Sequence, residues 1–190
     1  MMTETLSIDF EYKVITELPA NTSEVVYIPN EEPGVGRDGI MVKFFLSEGV
    51  SWVGIFAFGD MFPSGECRIY PGPGKQHLTV VAKGDAYIVS PYSVSSFQVV
   101  KSCPVIRVIP VPSHNVVIFH DFTEIIAYGE NGLLWETKRI SWDGIEISEV
   151  TSDEIIGQSR DAANEKYVEF RVDLTNGSHK GGASPPEYPT

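Results

Sequence analysis

Apolar and polar residues alternate along several stretches of this chain. Ile8, Phe10, Tyr12 and Val14 alternate with Asp9, Glu11 and Lys13. Val168, Phe170, Val172 and Leu174 alternate with Glu169, Arg171 and Asp173, and Ile145 and Ile147 with Glu146 and Ser148. Successive strand side chains point to opposite faces, so each pattern predicts a strand with one face buried and one wet. Other runs are apolar almost throughout: Val25–Ile28, Val53–Phe58, Leu78–Val81 and Val116–Phe119. They are short, rich in β-branched or aromatic residues and bounded by turn formers, which predicts strands buried on both faces or lying between two sheets.

Turn chemistry separates these runs. Lys83-Gly84-Asp85 joins Leu78–Ala82 to Ala86–Val89, and Glu130-Asn131-Gly132 joins Glu124–Tyr128 to Leu133–Thr137. Asn-Gly is expected to supply the positive φ angles of a tight hairpin. Pro104, Pro110 and Pro112 bracket Val105–Ile109. Proline cannot donate to a ladder, so that strand is expected to be short or at an edge. Ser152–Lys166 is the best helix candidate, but Gly157 interrupts it and its apolar residues keep no 3.6-residue period. A strand at Glu154–Ser159 followed by a loop is preferred, with at most one helical turn near Asp161–Glu165.

The fold expectation is all-β: an antiparallel meander of short strands forming a β-sandwich or barrel. Thr123–Ala127 and Asp153–Gly157 echo each other, each followed by a turn and another strand, so propeller-like hairpin repeats stay open. Residues 1–175 are expected to form a single β domain, with two sheets from about 1–112 and 113–175. Residues 176–190, rich in Gly, Ser, Pro and Asn, read as a flexible tail.

Several stretches also carry a resemblance. WVGIFAFG at Trp52–Gly59, LTVVAKGDAYIV at Leu78–Val89 and FTEIIAYGENGLLWETKRISWDGIEI at Phe122–Ile147 are three of them. VEFRVDLTNG at Val168–Gly177 and the pair Gly181-Gly182 complete the set. From Trp52 to Gly182 the chain resembles an uncharacterised all-β protein family of bacteria and plants. The resemblance implies a compact β fold and carries over no activity, cofactor or catalytic residue.

Charge narrows the partners. The 190 residues hold 14 basic and 26 acidic side chains, a net charge of −12. That balance argues against nucleic acid or an anionic membrane as the main partner, because both require a basic footprint. Met1–Glu11 has acids and no basic, apolar leader, and the apolar stretches are broken well before a membrane span, so a soluble cytoplasmic protein is expected. Cys67 and Cys103 form no CxxC pair and are expected to be reduced and buried. Asn21-Thr22-Ser23 and Asn176-Gly177-Ser178 match a glycosylation pattern and, without export, read as chance.

Candidate chemistry is sparse. His114 and His120 bracket a predicted strand and would lie about 20 Å apart at ~3.3 Å per residue, too far to share a metal. With His77 and His179 they read as structural or surface groups. There is no G-x-S-x-G elbow, and Glu32–Gly39 is glycine-rich but lacks the spacing, lysine and helix of a phosphate loop. Asp60 with Glu66, and Asp121 with Glu124, flank loops where paired acids could hydrolyse a glycoside. Trp142-Asp143-Gly144 reads as a turn opening the next strand, with Trp142 and Trp135 in one aromatic cluster. No catalytic residue, metal ligand or cofactor is assigned.

The remaining signal is aromatic and apolar residues where turns do not need them: Met61 and Phe62, Tyr70, and Tyr92. Gathered at one end of a sandwich, they would form a binding patch. The favoured function is therefore a non-catalytic binding or assembly protein acting through these residues or through edge strands, with a protein partner or self-association. The alternatives are a hydrolase using paired carboxylates in a β cleft, and an acidic inhibitor or immunity-type protein docking on a basic partner.

Overall fold

The computed structural model describes residues 8–20, 24–30, 36, 38–46, 49–59, 61 and 65–183. The chain divides into two compact units, Met1–Val105 and Ile106–Thr190. Each holds two four-stranded sheets. The predicted all-β architecture of short antiparallel strands is what the backbone adopts. One pairing departs from it: Val25–Ile28 runs parallel to Val53–Phe56.

The first sheet of the N-terminal unit contains β1 (Glu11–Ile15), β2 (Val25–Ile28), β3 (Gly39–Phe45) and β4 (Ser51–Ala57), in the order β1-β3-β4-β2. The second is a meander of β5 (Cys67–Pro71), β6 (Leu78–Ala82), β7 (Asp85–Val89) and β8 (Phe97–Val99). Alternation builds the core between them. Val42, Phe44, Trp52 and Phe56 meet Leu78, Val80, Tyr87 and Val89 in one buried cluster. Each such side chain contributes about 1.5–3 kcal/mol by leaving water. The polar tips of the large aromatics are satisfied as they go in. Trp52 Nε1 donates to the Pro91 carbonyl at 2.9 Å, and the Tyr87 hydroxyl to the Ala57 carbonyl at 3.0 Å. Both bonds span the two sheets and so fix their offset.

The continuous apolar runs behave as their position dictates. β4 and β6 are buried along almost their whole length. β2 is not, because it lies at a sheet edge: Val25 is exposed and only Ile28 is fully buried. The Lys83-Gly84 turn has φ of 51° and 99°, the two positive angles of a two-residue hairpin matched to strand twist.

The C-terminal unit has one sheet of β9 (Arg107–Val111), β10 (Val116–His120), β11 (Ile125–Gly129) and β12 (Gly132–Glu136). Its second sheet is β13 (Ile145–Val150), β14 (Glu154–Asp161), β15 (Lys166–Asp173) and β16 (His179–Gly181). Both are antiparallel meanders. Ile118, Ile125 and Trp135 from the first pack with Ile145, Ile155, Phe170 and Val172 from the second. β9, with Pro110 within it, is an edge strand, as its prolines require. Ser152–Lys166 forms β14 and the turn after it, with no helix; a 3-10 turn lies at Pro112–His114.

Three details differ from the sequence reading. The turn at Glu130–Asn131 closes on a Gly129–Gly132 pair, so only Gly132 carries a positive φ, of 118°. A bulge between Ala127 and Tyr128 takes up the register difference. Strand pairing continues past residue 175: β16 joins β15, and Ala183 is buried. Trp142 is half-buried at its corner, while Trp135 is held elsewhere, donating from Nε1 to the Leu174 carbonyl at 3.0 Å.

Candidate binding groove

In β1 the alternation has an unusual outcome. Tyr12 pairs with Phe44 and Val14 with Val42. Directly opposed residues share a face, so Tyr12 and Val14 stand on the core side of the first sheet. Phe44 and Val42 are completely buried there, yet Tyr12 is 37% and Val14 48% exposed. β1 is the outermost strand, and the second sheet does not extend over it.

The space left is a groove of about 520 Å³. Tyr12, Val14 and Ile15 form one wall, and Cys67, Arg68 and Ile69 of β5 another, with Ile40 and Phe58 between. Both β1 and β5 are edge strands of their sheets. The groove is therefore apolar in lining and flanked by two strand edges. Arg68 supplies a charge at its wall. A hydrogen bond with Tyr70 and the adjacent Glu66 carboxylate push its pKa above the ordinary arginine value. It stays cationic at every accessible pH.

The four residues singled out from the sequence lie as follows. Tyr92 is half exposed, but its hydroxyl donates to the Asp9 carbonyl at 3.0 Å and its ring meets Phe10 edge-on at 6.2 Å. Phe10 in turn contacts Phe44, which stacks on Trp52 at 4.5 Å. This aromatic cluster, buried apart from Tyr92, is consistent with a binding surface; locally it pins the chain just before β1. Tyr70 lies within β5, where it opposes Thr79 and bonds Arg68. Met61 sits at the other end of that sheet, by the β6–β7 turn, donating its N–H to the Lys83 carbonyl at 3.1 Å. A Cβ on Gly84 would fall 2.6 Å from its Cγ, so Met61 caps that turn. Phe62 lies outside the described residues, as do Asp60, Asn21–Ser23 and most of Glu32–Gly39. Tyr70 and Tyr92 are not among the residues that line the groove, and Met61 is bonded to Lys83, whose ammonium lies 4.1 Å over the ring of the groove residue Phe58. The residues that line the groove, Tyr12 and Val14 above all, were read from the sequence as core. The signal that could have found them was their place in a first strand, where one neighbour is missing.

The other candidate groups are engaged structurally. Asp121 Oδ1 accepts from the Thr123 and Glu124 backbone N–H groups at 2.6 and 2.8 Å and from the Thr123 hydroxyl at 3.0 Å, closing an Asx turn between β10 and β11. His120 is 2% exposed, and its Nδ1 donates to the Asp121 carbonyl at 2.9 Å. Burial pushes its pKa below the ordinary histidine value and the Arg107 charge adds to this, against the opposing pull of that carbonyl bond. Both cysteines are thiols outside any disulfide, and both are exposed, not buried: Cys67 is on an edge strand at the groove, and Cys103 Sγ lies 3.5 Å from Asp85 Oδ1. Among the described residues no group of three or more His, Cys, Asp or Glu is placed to hold a metal ion. None of their helices is long and apolar enough to cross a membrane.

No protein-family model, curated protein or solved structure matches this chain, so its function is argued from its own residues.

Proposed function

We propose that this chain is a non-catalytic binding module that accepts an extended polypeptide segment along the edge of β1, over the groove between β1 and β5. One observation carries the reading: Tyr12 and Val14 are in register with fully buried residues and are themselves exposed. A side chain patterned for a core and left in water costs the free energy that a partner's apolar surface would recover. An edge strand offers unpaired N–H and C=O groups in a row, and the apolar groove beside it offers side-chain specificity. Strand addition uses both at once.

The test is selection of extended heptapeptides from a display library on the intact chain, with Val14→Glu as the counter-target. Peptides should be enriched that bind the parent, lose at least tenfold in affinity on Val14→Glu and protect Cys67, but not Cys103, from alkylation. Binding that falls only about twofold between 50 and 500 mM salt belongs to strand addition. A collapse over that range would instead support docking through the acidic surface. Failure to enrich any peptide, or equal binding by Val14→Glu, removes the reading.

A further inference from the structure

We infer that the natural occupant of the β1 edge is a second copy of this chain, paired antiparallel through β1 about a two-fold axis at Tyr12. This rests on the strand-addition reading and names its partner. Two identical edges meeting across a two-fold axis form a closed, isologous interface, in which residue i opposes residue j and j opposes i. Directly opposed residues share a face, so only axes centred on a residue set the apolar side of β1 against itself. A one-residue slip would lay Tyr12 against a charged side chain.

Charge then selects among those centres. Within one copy Lys13 directly opposes Lys43 of β3, an unfavourable like-charge pair. An axis at Lys13 would extend this into a row of four lysines. An axis at Glu11 opposes two glutamates, and one at Val14 sets Glu11 against Glu17. An axis at Ile15 leaves Ile15 as the sole strand residue opposed by a residue of the partner's β1. The axis at Tyr12 sets Glu11 against the partner's Lys13 and Lys13 against the partner's Glu11. Each Lys13 then has a carboxylate on the side away from Lys43. On the core side Tyr12 meets the partner's Tyr12, giving a row from Phe44 through both tyrosines to the partner's Phe44. Val14 comes opposite the partner's Phe10, which precedes the strand at a bend and is packed against Phe44 of its own copy. The exposed Tyr12 of β1 and the like-charge Lys13–Lys43 pair are both answered by this register.

Cross-linking reads that register directly. In a Cys67→Ser, Cys103→Ser background, Tyr12→Cys should form an oxidised dimer, because opposed Cα atoms lie about 4.5–5.5 Å apart, within disulfide reach. Lys13→Cys should cross-link at least tenfold more slowly. Sedimentation velocity supplies the charge test: Glu11→Lys and Lys13→Glu should each weaken the dimer at least tenfold, and the double exchange should restore it to within about threefold. Unchanged urea midpoints of these surface variants establish that they are folded. A parent chain monomeric at about 1 mM with no Tyr12→Cys cross-link overturns the inference, as does faster cross-linking of Lys13→Cys or no rescue by the double exchange. If peptides selected on the groove still depend on Val14, the binding reading survives that failure; if they do not, both fall.

Discussion

Strands β1 and β15 carry the same alternation of apolar and charged residues. In β15 Phe170 and Val172 are 1% and 0% exposed; in β1 Tyr12 and Val14 are 37% and 48% exposed. β15 has β14 on one side and β16 on the other, and residues of the facing sheet lie over its apolar side. β1 has β3 on one side, an edge on the other, and a groove over its apolar side. Alternation therefore records which face a strand is made to bury. Whether that face is covered within one chain depends on the strand's place in the sheet, which neighbouring residues do not encode. Where cover is missing, the pattern points outward to a partner.

Phe170→Ala should produce the largest change that this contrast predicts. The ring is fully enclosed by Ile155, Ile145 and their neighbours, so its loss removes the transfer free energy and leaves a cavity. A cost of about 3–5 kcal/mol is expected, read from urea unfolding of the intact chain followed by a probe in residues 106–190. A cost below about 1 kcal/mol would mean that β15 is no better covered than β1.

Val172→Thr should follow. The exchange is nearly isosteric but puts a hydroxyl where the residue is 0% exposed. An unsatisfied buried hydroxyl costs about 1–3 kcal/mol. The same measurement applies, and an unchanged midpoint would show that the site admits water or a new hydrogen bond.

These two strands also show how far the sequence was legible. The period of two named both strands and the buried side of each, and turn chemistry fixed Lys83-Gly84 as a tight hairpin. The hairpin at Asn131-Gly132 forms between the expected strands, but with a positive φ at Gly132 and none at Asn131, because the bulge at Ala127–Tyr128 is a property of the ladder and not of the dipeptide. The two cysteines were expected inside; Cys67 emerges because its strand is an edge, which its apolar neighbours Ile69 and Tyr70 do not reveal. The apolar opening makes the same point: it is lined by Tyr12 and Val14, residues indistinguishable in pattern from core. Edge position is set by long-range strand order, here β1-β3-β4-β2, and a local pattern carries no trace of it.

The next effect is confined to acid. The folded-state pKa of His120 lies below the ordinary value of about 6.5, so the unfolded chain takes up the proton first. Its contribution to stability is fully present above that pH and is lost as pH falls through the folded pKa. His179 is also lowered, by burial and by Lys138, and acts with the same sign. Asp161 and Asp173 are lowered as well, by hydrogen bonds from Asn164 and Thr175, so their losses begin only below about pH 4. The thermal midpoint of residues 106–190 should therefore fall between pH 7 and 5. His120→Asn should remove more of that slope than His179→Asn, since His120 is the more deeply buried; a slope untouched by either would assign it elsewhere.

Arg171→Gln tests the wet face of β15. Its guanidinium reaches Glu154 at 3.1 Å and Glu169 at 3.2 Å, but all three side chains are about half exposed. Exposed pairs contribute about 0–1 kcal/mol, because solvent screens them and ordering long side chains offsets the gain. A cost above about 2 kcal/mol would mean that this face is covered in solution, and that β15 too has an external partner.

Val14→Thr should have the smallest effect on the isolated chain. The chemical change is that of Val172→Thr, and both residues stand on the apolar side of a strand. At Val14 the new hydroxyl faces water, so a dilute sample should lose less than about 0.5 kcal/mol. The pair of substitutions thus isolates cover from pattern: one exchange, two strands of the same period, and a difference set only by what lies above them. Raising the protein concentration sharpens the comparison further. If β1 pairs with a second copy, Val14 comes opposite the partner's Phe10, and Val14→Thr should weaken the dimer several-fold while leaving the dilute unfolding midpoint where it was. A variant neutral at every concentration would leave β1 an ordinary frayed edge, its alternation matched to Phe44 and Val42 alone.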